Sequence, residues 1–360
     1  MKIKKLNLTN FRNWEGKSFS FLDKVLIYGP NARGKTNILE AIYLAATTRS
    51  FRGRDAEIIN ENKDFMKVDV VFEKDTEIDI GIIFKNSEKK EKDFKIMGRK
   101  RPAIDFVGEF SAIVFSPDDI NLISGTPADK RRYLSYTIGQ KDRGYLYDLL
   151  NYKKILRQRN ELLRRGDRGM INEEIDIWDK SISDYGQRII EKRKDLEVFI
   201  NERLNGYYQR LSGDNKLTEF IYQPSTKDQG LLKFLKENRE KDIFEKTTTV
   251  GPHRDSWEVL VDNNVAEGYA SRGEYRTLIL ALKLCERDYF ISRDGIAPVV
   301  LLDDVFSELD EDRRKYLVEA FSDSQLIITT TDLDHLNDSL QSDFQLINID
   351  GLQPELDFNL

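Results

Sequence analysis

Gly29-Pro30-Asn31-Ala32-Arg33-Gly34-Lys35-Thr36 fills every fixed position of the pattern G-x-x-x-x-G-K-[ST]. Both flanks have the right texture. Lys24 to Tyr28 reads as a short apolar strand, and Ile38, Ala41, Ile42 and Ala45 then recur at helical spacing. Glycines let backbone amides converge on a phosphate chain, and the helix start adds a favourable dipole. In such a loop Lys35 reaches the β- and γ-phosphates, and the Thr36 hydroxyl binds Mg²⁺.

A loop of this kind needs an acidic partner from elsewhere in the sheet. Val299-Val300-Leu301-Leu302 follows Pro298 as an apolar strand and ends in Asp303-Asp304. Asp303 is the candidate Mg²⁺ ligand, and Asp304 the candidate to polarise an attacking water. Ser307-Glu308-Leu309-Asp310 follows as a candidate turn at the nucleotide, and Leu326 to Thr330 reads as another buried strand. Ser271-Arg272-Gly273-Glu274 precedes the helical stripe Leu278, Leu282, Cys285. Two readings of it stand level: a capping box of Ser271 and Glu274, or a second anion-binding helix start with Ser271 and Gly273 facing a phosphate.

Between these sites the texture changes twice. Val68, Val70 and Phe72, then Ile78, Ile80, Ile82 and Phe84, alternate as an antiparallel pair. Ser87 to Lys95 is charged and reads as a hairpin loop, and Ala112 to Phe115 as a buried strand. Beyond Ser116-Pro117 the chain turns helical, with Thr126-Pro127 a good helix start. Tyr145, Leu149, Tyr152, Leu156 and Leu163 form one stripe, and Arg165 to Gly169 break it. Ile175, Trp178, Ile182, Tyr185, Ile189, Leu196, Phe199 and Leu204 form a second, whose early spacings are those of a paired-helix seam. The expected fold is α/β, a P-loop head split by an inserted helical hairpin. Expected bounds are 1–116 and 247–360 for the head and 117–246 for the insertion.

The chain of 360 residues has 57 Lys and Arg against 63 Asp and Glu, a net charge of −6. Taken alone, that argues against a generic nucleic-acid binder. The charge is uneven, however. Lys130 to Arg168 holds twelve basic and four acidic residues; Asp303 to Leu360 holds three basic and fifteen acidic. Segregated solvated faces and a polyanion surface both fit this pattern. One cysteine, Cys285, permits no internal disulfide, and two histidines, His253 and His335, build no His/Cys metal cluster. No leader-like or membrane-spanning run is visible, so a soluble, cytoplasmic protein is expected.

The order of these motifs resembles the ABC-type ATPase heads of the SMC-like group, and within it the RecF family, over nearly the whole chain. Leu8-Thr9-Asn10-Phe11-Arg12-Asn13 is similar to that family's N-terminal strand and nucleotide-contacting turn. Phe115-Ser116-Pro117-Asp118-Asp119, Gly251-Pro252-His253-Arg254-Asp255 and Leu301-Leu302-Asp303-Asp304 resemble its later blocks, in the same order. The resemblance implies ATP and Mg²⁺ as cofactors and an ATP-driven homodimer. ATP would lie between Arg12, Asn13, Gly29 to Thr36, Asp303 and Asp310 of one copy and Ser271, Arg272 and Gly273 of the other. It further implies a weak, DNA-stimulated ATPase acting on single-stranded and duplex DNA and their junctions. A RecR-type mediator, a RecA-type recombinase and SOS induction belong to the same implication.

There are departures. The signature is Ala270-Ser271-Arg272-Gly273-Glu274, where transporter-type heads have Leu-Ser-Gly-Gly-Gln, so Glu274 adds charge near a triphosphate. Asp304 stands where glutamate is usual, and slow hydrolysis is expected. Thr331-Asp332 replaces a histidine after the strand Leu326 to Thr330, Trp14 replaces a frequent tyrosine, and Ser116 to Asp119 has no glutamine. Candidate DNA contacts are Arg49, Arg52 and Arg54; Arg99, Lys100 and Arg101; Lys130, Arg131 and Arg132; and Lys153, Lys154, Arg157 and Arg159. A P-loop small-molecule kinase, an SMC-like nuclease-associated ATPase and a non-catalytic scaffold are the rival readings.

Overall fold

The computed structural model describes residues 1–53, 55–86, 90–166, 168–226, 230–333 and 342–350. They form two compact units, one of residues 1–119 with 286–360 and one of 120–285.

The first unit opens with β1 (Lys2–Phe11), β2 (Trp14–Ser20) and β3 (Lys24–Tyr28), then the helix Lys35–Thr47. β4 (Phe65–Glu73), β5 (Glu77–Asn86), β6 (Lys90–Ile96), β7 (Arg99–Arg101) and β8 (Ala112–Phe115) follow. The chain passes through β9 (Thr218–Gln223), β10 (Ser256–Val261) and β11 (Asn264–Val265) of the second unit. It returns with β12 (Val299–Asp303), β13 (Leu326–Thr330) and β14 (Gln345–Asn348).

Two sheets result in the first unit. One is antiparallel, in the order β2-β1-β4-β5-β6-β7; the other is parallel, in the order β14-β3-β13-β12-β8. In β4 the buried set is Met66, Val68, Val70 and Phe72, the period of two that a one-face-buried strand requires. β3, β12 and β13 each carry a continuous apolar run, Val25 to Ile27, Val299 to Leu302 and Leu326 to Ile328, because a parallel sheet is covered on both faces. The helix Lys35–Thr47 packs on β8, β12 and β13 and also on β1, β4 and β5. It therefore buries almost every residue and shows little amphipathic contrast.

The expected loop at Ser87 to Lys95 is a strand over most of its length. β6 pairs with β5 at Phe84↔Lys92 and Ile82↔Phe94, and buried Phe94 packs on Phe106. Alternating charges hide the strand period there, since only one side chain per two needs burial. Ser87, Glu88 and Lys89 lie outside the described residues, as do Arg54 and His335.

In the second unit, Thr126 caps the helix Pro127–Gly139 through a reciprocal box with Asp129. The helices Arg143–Arg165 and Arg168–Ser212 pack on each other as the hairpin. Gly166, at φ +77°, ends the first helix. Arg168 already belongs to the second, so the break is shorter than expected; Asp167, within it, lies outside the described residues. Ile175, Ile182, Ile189 and Leu196, seven residues apart, are wholly buried along the seam. β9 and β10 pair antiparallel, with Trp257 stacked on Phe220 at 4.8 Å and donating its indole N–H to the Lys130 carbonyl at 2.7 Å. Residue 247 thus lies inside this unit, which runs to Cys285 within the helix Arg272–Asp294. Among the described residues, no helix is long and apolar enough to cross a membrane.

Candidate nucleotide site

The phosphate loop is built by backbone conformations that side chains resist. Gly29 has φ +138°, Ala32 +62° and Gly34 +100°. A Cβ on Gly34 would come within 2.6 Å of the Asn13 amide, so glycine is required there for space as well as for φ. The Asn13 side chain donates to the Arg33 carbonyl at 3.1 Å and accepts from Asn37 at 2.8 Å, bracing the loop from outside. Arg33 itself pairs with Asp350 at 3.4 Å.

Lys35 is buried inside its own loop, donating to the carbonyls of Gly29 at 2.6 Å and Pro30 at 2.8 Å. Burial pulls its pKa down, and the charges of Asp304 and Asp303 partly restore it. The Thr36 hydroxyl donates to Asp303 Oδ1 at 2.8 Å, and Thr329 donates to the same oxygen at 2.7 Å. Asp303 is buried, which pushes its pKa up despite those two bonds. Asp304 takes a left-handed φ of +53° at the strand end, held by its N–H to Thr329 O and Oγ1, both at 3.1 Å. Its Oδ1 is buried with no hydrogen-bond partner among the described residues.

These groups fit Mg²⁺. Thr36 and Asp303 present hard oxygen donors at one point, and the orphaned Asp304 oxygen beside them lacks a donor. Glu40 and Thr329 support the site from positions outside its motifs: Thr329 holds Asp303, and Glu40 holds Arg12. Glu40 is fully buried and takes a bidentate pair from Arg12, at 2.9 and 2.7 Å, plus the Ser50 hydroxyl. Arg12 also donates to the Glu57 carbonyl at 2.8 Å. The expected nucleotide-contacting arginine is thus engaged inside its own unit, and Asn13 is the member of that turn placed against the loop. The signal was available: a carboxylate in the apolar run Ile38 to Ala46, and threonines ending the buried strand Leu326 to Thr330.

Asp310 caps the helix Glu311–Ala320 by accepting from Arg313 N at 2.9 Å. Thr330 Oγ1 donates to the Asp332 carbonyl at 3.0 Å, closing a small turn at Thr331.

In the second unit the capping box at Ser271 is present. Ser271 N donates to Glu274 Oε2 at 2.7 Å, and Glu274 N donates to Ser271 Oγ at 3.3 Å. Ser271, Arg272 and Gly273 are nevertheless exposed, and open space surrounds a Cβ built on Gly273. The block Gly251 to Asp255 is architectural. Buried Asp255 accepts from Arg193 at 3.0 Å, from the Tyr222 hydroxyl and from Ser225 N at 2.8 Å.

The basic candidates divide by burial. Arg99, Lys100, Arg101, Arg49, Arg52, Lys153, Lys154 and Arg157 are exposed. Lys130 is buried, paired with Glu267 at 3.1 Å and set over Trp257. Arg131 donates to the Asp255 carbonyl at 3.0 Å, and exposed Arg132 pairs with Asp129. Arg159 is fully buried between Asp179 and Asp242, both at 2.8 Å. Lys130 and Arg159 are therefore structural, not surface, cations. Helical spacing alone does not reveal the buried acids that draw them inward.

Comparison with known proteins agrees with this geometry. Residues 2–349 match the RecF/RecN/SMC N-terminal domain family. A DNA replication and repair protein RecF of Agathobacter rectalis is 38% identical over 338 residues, covering 93% of both chains. The chain belongs to the RecF family. A further member of the family, from Clostridium perfringens, is 34% identical over 97% of this chain and 99% of its own. A solved structure of the recombination mediator protein RecF with ATP, of the RecFOR pathway, superposes with a TM-score of 0.86. It is 32% identical and covers 93% of each chain. A Pyrococcus furiosus Smc head domain, at 16% identity and TM-score 0.54, covers 96% of this chain and 93% of its own and shares the fold. The fold of this RecF-family chain is thus the ABC-type ATPase head with a helical insertion.

Proposed function

We propose that this chain is an ATP-switched DNA clamp of DNA replication and recombinational repair. The observation that carries the proposal is the contact of Thr36 with Asp303 beside the loop that encloses Lys35, with the unpartnered Asp304 oxygen at the next position. The loop amides and Lys35 hold the triphosphate, Thr36 and Asp303 hold Mg²⁺, and Asp304 orients water. Bound Mg²⁺ supplies charge neutralisation at the phosphates. Lys35 donates to two neutral loop carbonyls, so a phosphate oxygen would take its third proton or displace one of those acceptors with an anionic one. The exposed Ser271 to Gly273 start, with nothing crowding Gly273, suits a phosphate carried by a second copy.

On this reading ATP joins two copies on DNA, and slow hydrolysis releases them. Weak, DNA-stimulated turnover acts as the switch, with no chemistry on DNA. Exposed cations contact single-stranded and duplex DNA and their junctions through the phosphate backbone. The clamp acts in the cytoplasm with a RecR-type mediator, assists RecA-type recombinase loading at gaps, and so supports SOS induction. The support here is the match to family members named for DNA replication and repair and for the RecFOR pathway.

Sedimentation with and without ATP tests the switch. Wild type shifts to a dimer with ATP and Lys35→Ala does not. A wild type that stays monomeric at saturating ATP would sink the proposal. DNA affinity measured over a salt series, with and without ATP, tests the clamp; binding indifferent to both would remove DNA from it.

A further inference from the structure

Glu274 poses an electrostatic problem at the exposed helix start. Its carboxylate lies in the first turn, where a phosphate would have to approach Ser271 and Gly273. Two anions would then compete for the same N-terminal amides and the same dipole. One of the carboxylate oxygens is already on Ser271 N. The other is held by Lys216, whose ammonium contacts Glu274 Oε1.

Lys216 is delivered by a rigid turn. Gly213, at φ +74°, ends the long hairpin helix, and the Asp214 carboxylate then accepts from Ser212 Oγ at 3.0 Å and from Lys216 N at 3.2 Å. The Lys216 carbonyl in turn accepts from Gln209 of that helix at 3.4 Å. This turn joins the hairpin to β9, so the cation that meets Glu274 is fixed to the base of the hairpin. The bond from Lys216, with those from Ser271, pulls the Glu274 pKa down to about 2, so the carboxylate is ionised at every working pH. The Tyr208 hydroxyl, without a hydrogen-bond partner among the described residues, has its pKa pushed up to about 12 by burial first, with Asp214 and Glu274 adding to the rise and Lys216 opposing it.

We infer that Lys216 is a positioning residue for nucleotide recognition: it holds Glu274 against the capping box and cancels its charge, leaving the Ser271 to Gly273 start open to a phosphate. The inference rests on the proposed ATP-joined dimer and assigns to Lys216 the compensation for a carboxylate in the signature. It also couples the site to the hairpin, since any movement of the Gly213 to Lys216 turn withdraws the cation.

The test is the ATP concentration that half-saturates dimerisation, read by sedimentation at low salt. The chains are wild type, Lys216→Gln, Glu274→Gln and the double variant, with thermal melts of all four. Lys216→Gln is expected to raise the midpoint about fivefold, the scale of one exposed charge at a helix start. The double variant returns to the wild-type midpoint, because no uncancelled charge remains. Salt shrinks the Lys216→Gln defect. A double variant as weak as Lys216→Gln overturns the inference, since the lysine would then act by structure alone. A Lys216→Gln protein equal to wild type also overturns it. A wild type that stays monomeric with ATP overturns the underlying dimer, and this inference with it.

Discussion

The Thr36 hydroxyl and the Asp303 carboxylate meet at 2.8 Å although 267 positions separate them in the chain. Sheet register accounts for the meeting. β12 and β13 run parallel with Asp303 opposite Thr329, and β13 pairs in turn with β3, which leads into the phosphate loop. The strands end along one edge, where α/β sheets bind ligands. Asp303 is thereby placed by strand register and not by a loop.

Asp303→Asn is expected to abolish turnover while stabilising the free protein. The amide oxygen can still accept from Thr36 and Thr329, but the substitution removes a charge that burial disfavours. ATP hydrolysis falls by about 100-fold or more, the scale of losing a metal-binding charge. The melting temperature without nucleotide rises by about 2 °C. Phosphate release and a thermal melt read the two effects; wild-type turnover would take Asp303 out of the metal role.

Glu40 carries a different load. It is fully buried and binds Arg12 through two hydrogen bonds. Glu40→Ala leaves the half-buried guanidinium and the Ser50 hydroxyl without their acceptor. The expected cost is about 2–3 kcal/mol in denaturant unfolding, below the full figure for a deeply buried pair because Arg12 keeps some solvent. A change under about 0.5 kcal/mol would mean that Arg12 finds water or the Glu57 carbonyl instead.

How far the sequence reads correctly depends on whether a contact is local. The phosphate loop is legible because its glycines, lysine and threonine are consecutive, and its strand and helix flanks show their own periods. The hairpin seam is legible because Ile175, Ile182, Ile189 and Leu196 repeat at seven. β6 is illegible because Phe94, its one buried residue among the described side chains, sits among charges. Arg159 is misleading because it looks like surface charge, while Asp179 and Asp242, distant in sequence, draw it inward. Glu40 stands out as a carboxylate in an apolar run, but its partner Arg12 is equally remote from that run. No windowed pattern contains such a pair.

His253 makes stability depend on pH. Its Nε2 donates to the Thr248 carbonyl at 3.0 Å, so Nδ1 accepts from the Tyr152 hydroxyl at 2.6 Å, and the ring is neutral. Burial pulls its pKa down to about 4 from an ordinary 6.5. Between those values the unfolded chain binds the extra proton, so stability is complete above about 6.5 and falls as pH drops toward 4. Unfolding free energy should drop by about 2 kcal/mol more in wild type than in His253→Gln between about pH 7 and 5. Parallel pH profiles for the two proteins would show that the imidazole charges without opening the structure.

The hairpin cations differ in burial within one helix, so the proposed DNA contacts can be tested apart from folding. Lys154 and Arg157 are exposed on Arg143–Arg165, while Arg159, two residues on, is fully buried between Asp179 and Asp242. Lys154→Ala with Arg157→Ala should leave the melting temperature within a degree or so, since exposed charges contribute little to stability. The same pair should weaken DNA binding and reduce the slope of log affinity against log salt by roughly two, at about 0.9 for each duplex phosphate no longer neutralised. Arg159→Ala should do the reverse. It takes the arginine from buried Asp242, which keeps its bonds from Thr249, and one of two arginines from Asp179, which keeps Arg239; the cost is about 3 kcal/mol, with any loss of DNA binding tracking the unfolded fraction. Melts and salt titrations of the two variants side by side decide the matter. An unchanged salt slope in the double alanine would move the DNA contacts to other exposed cations, with Arg99, Lys100 and Arg101 next to be tested.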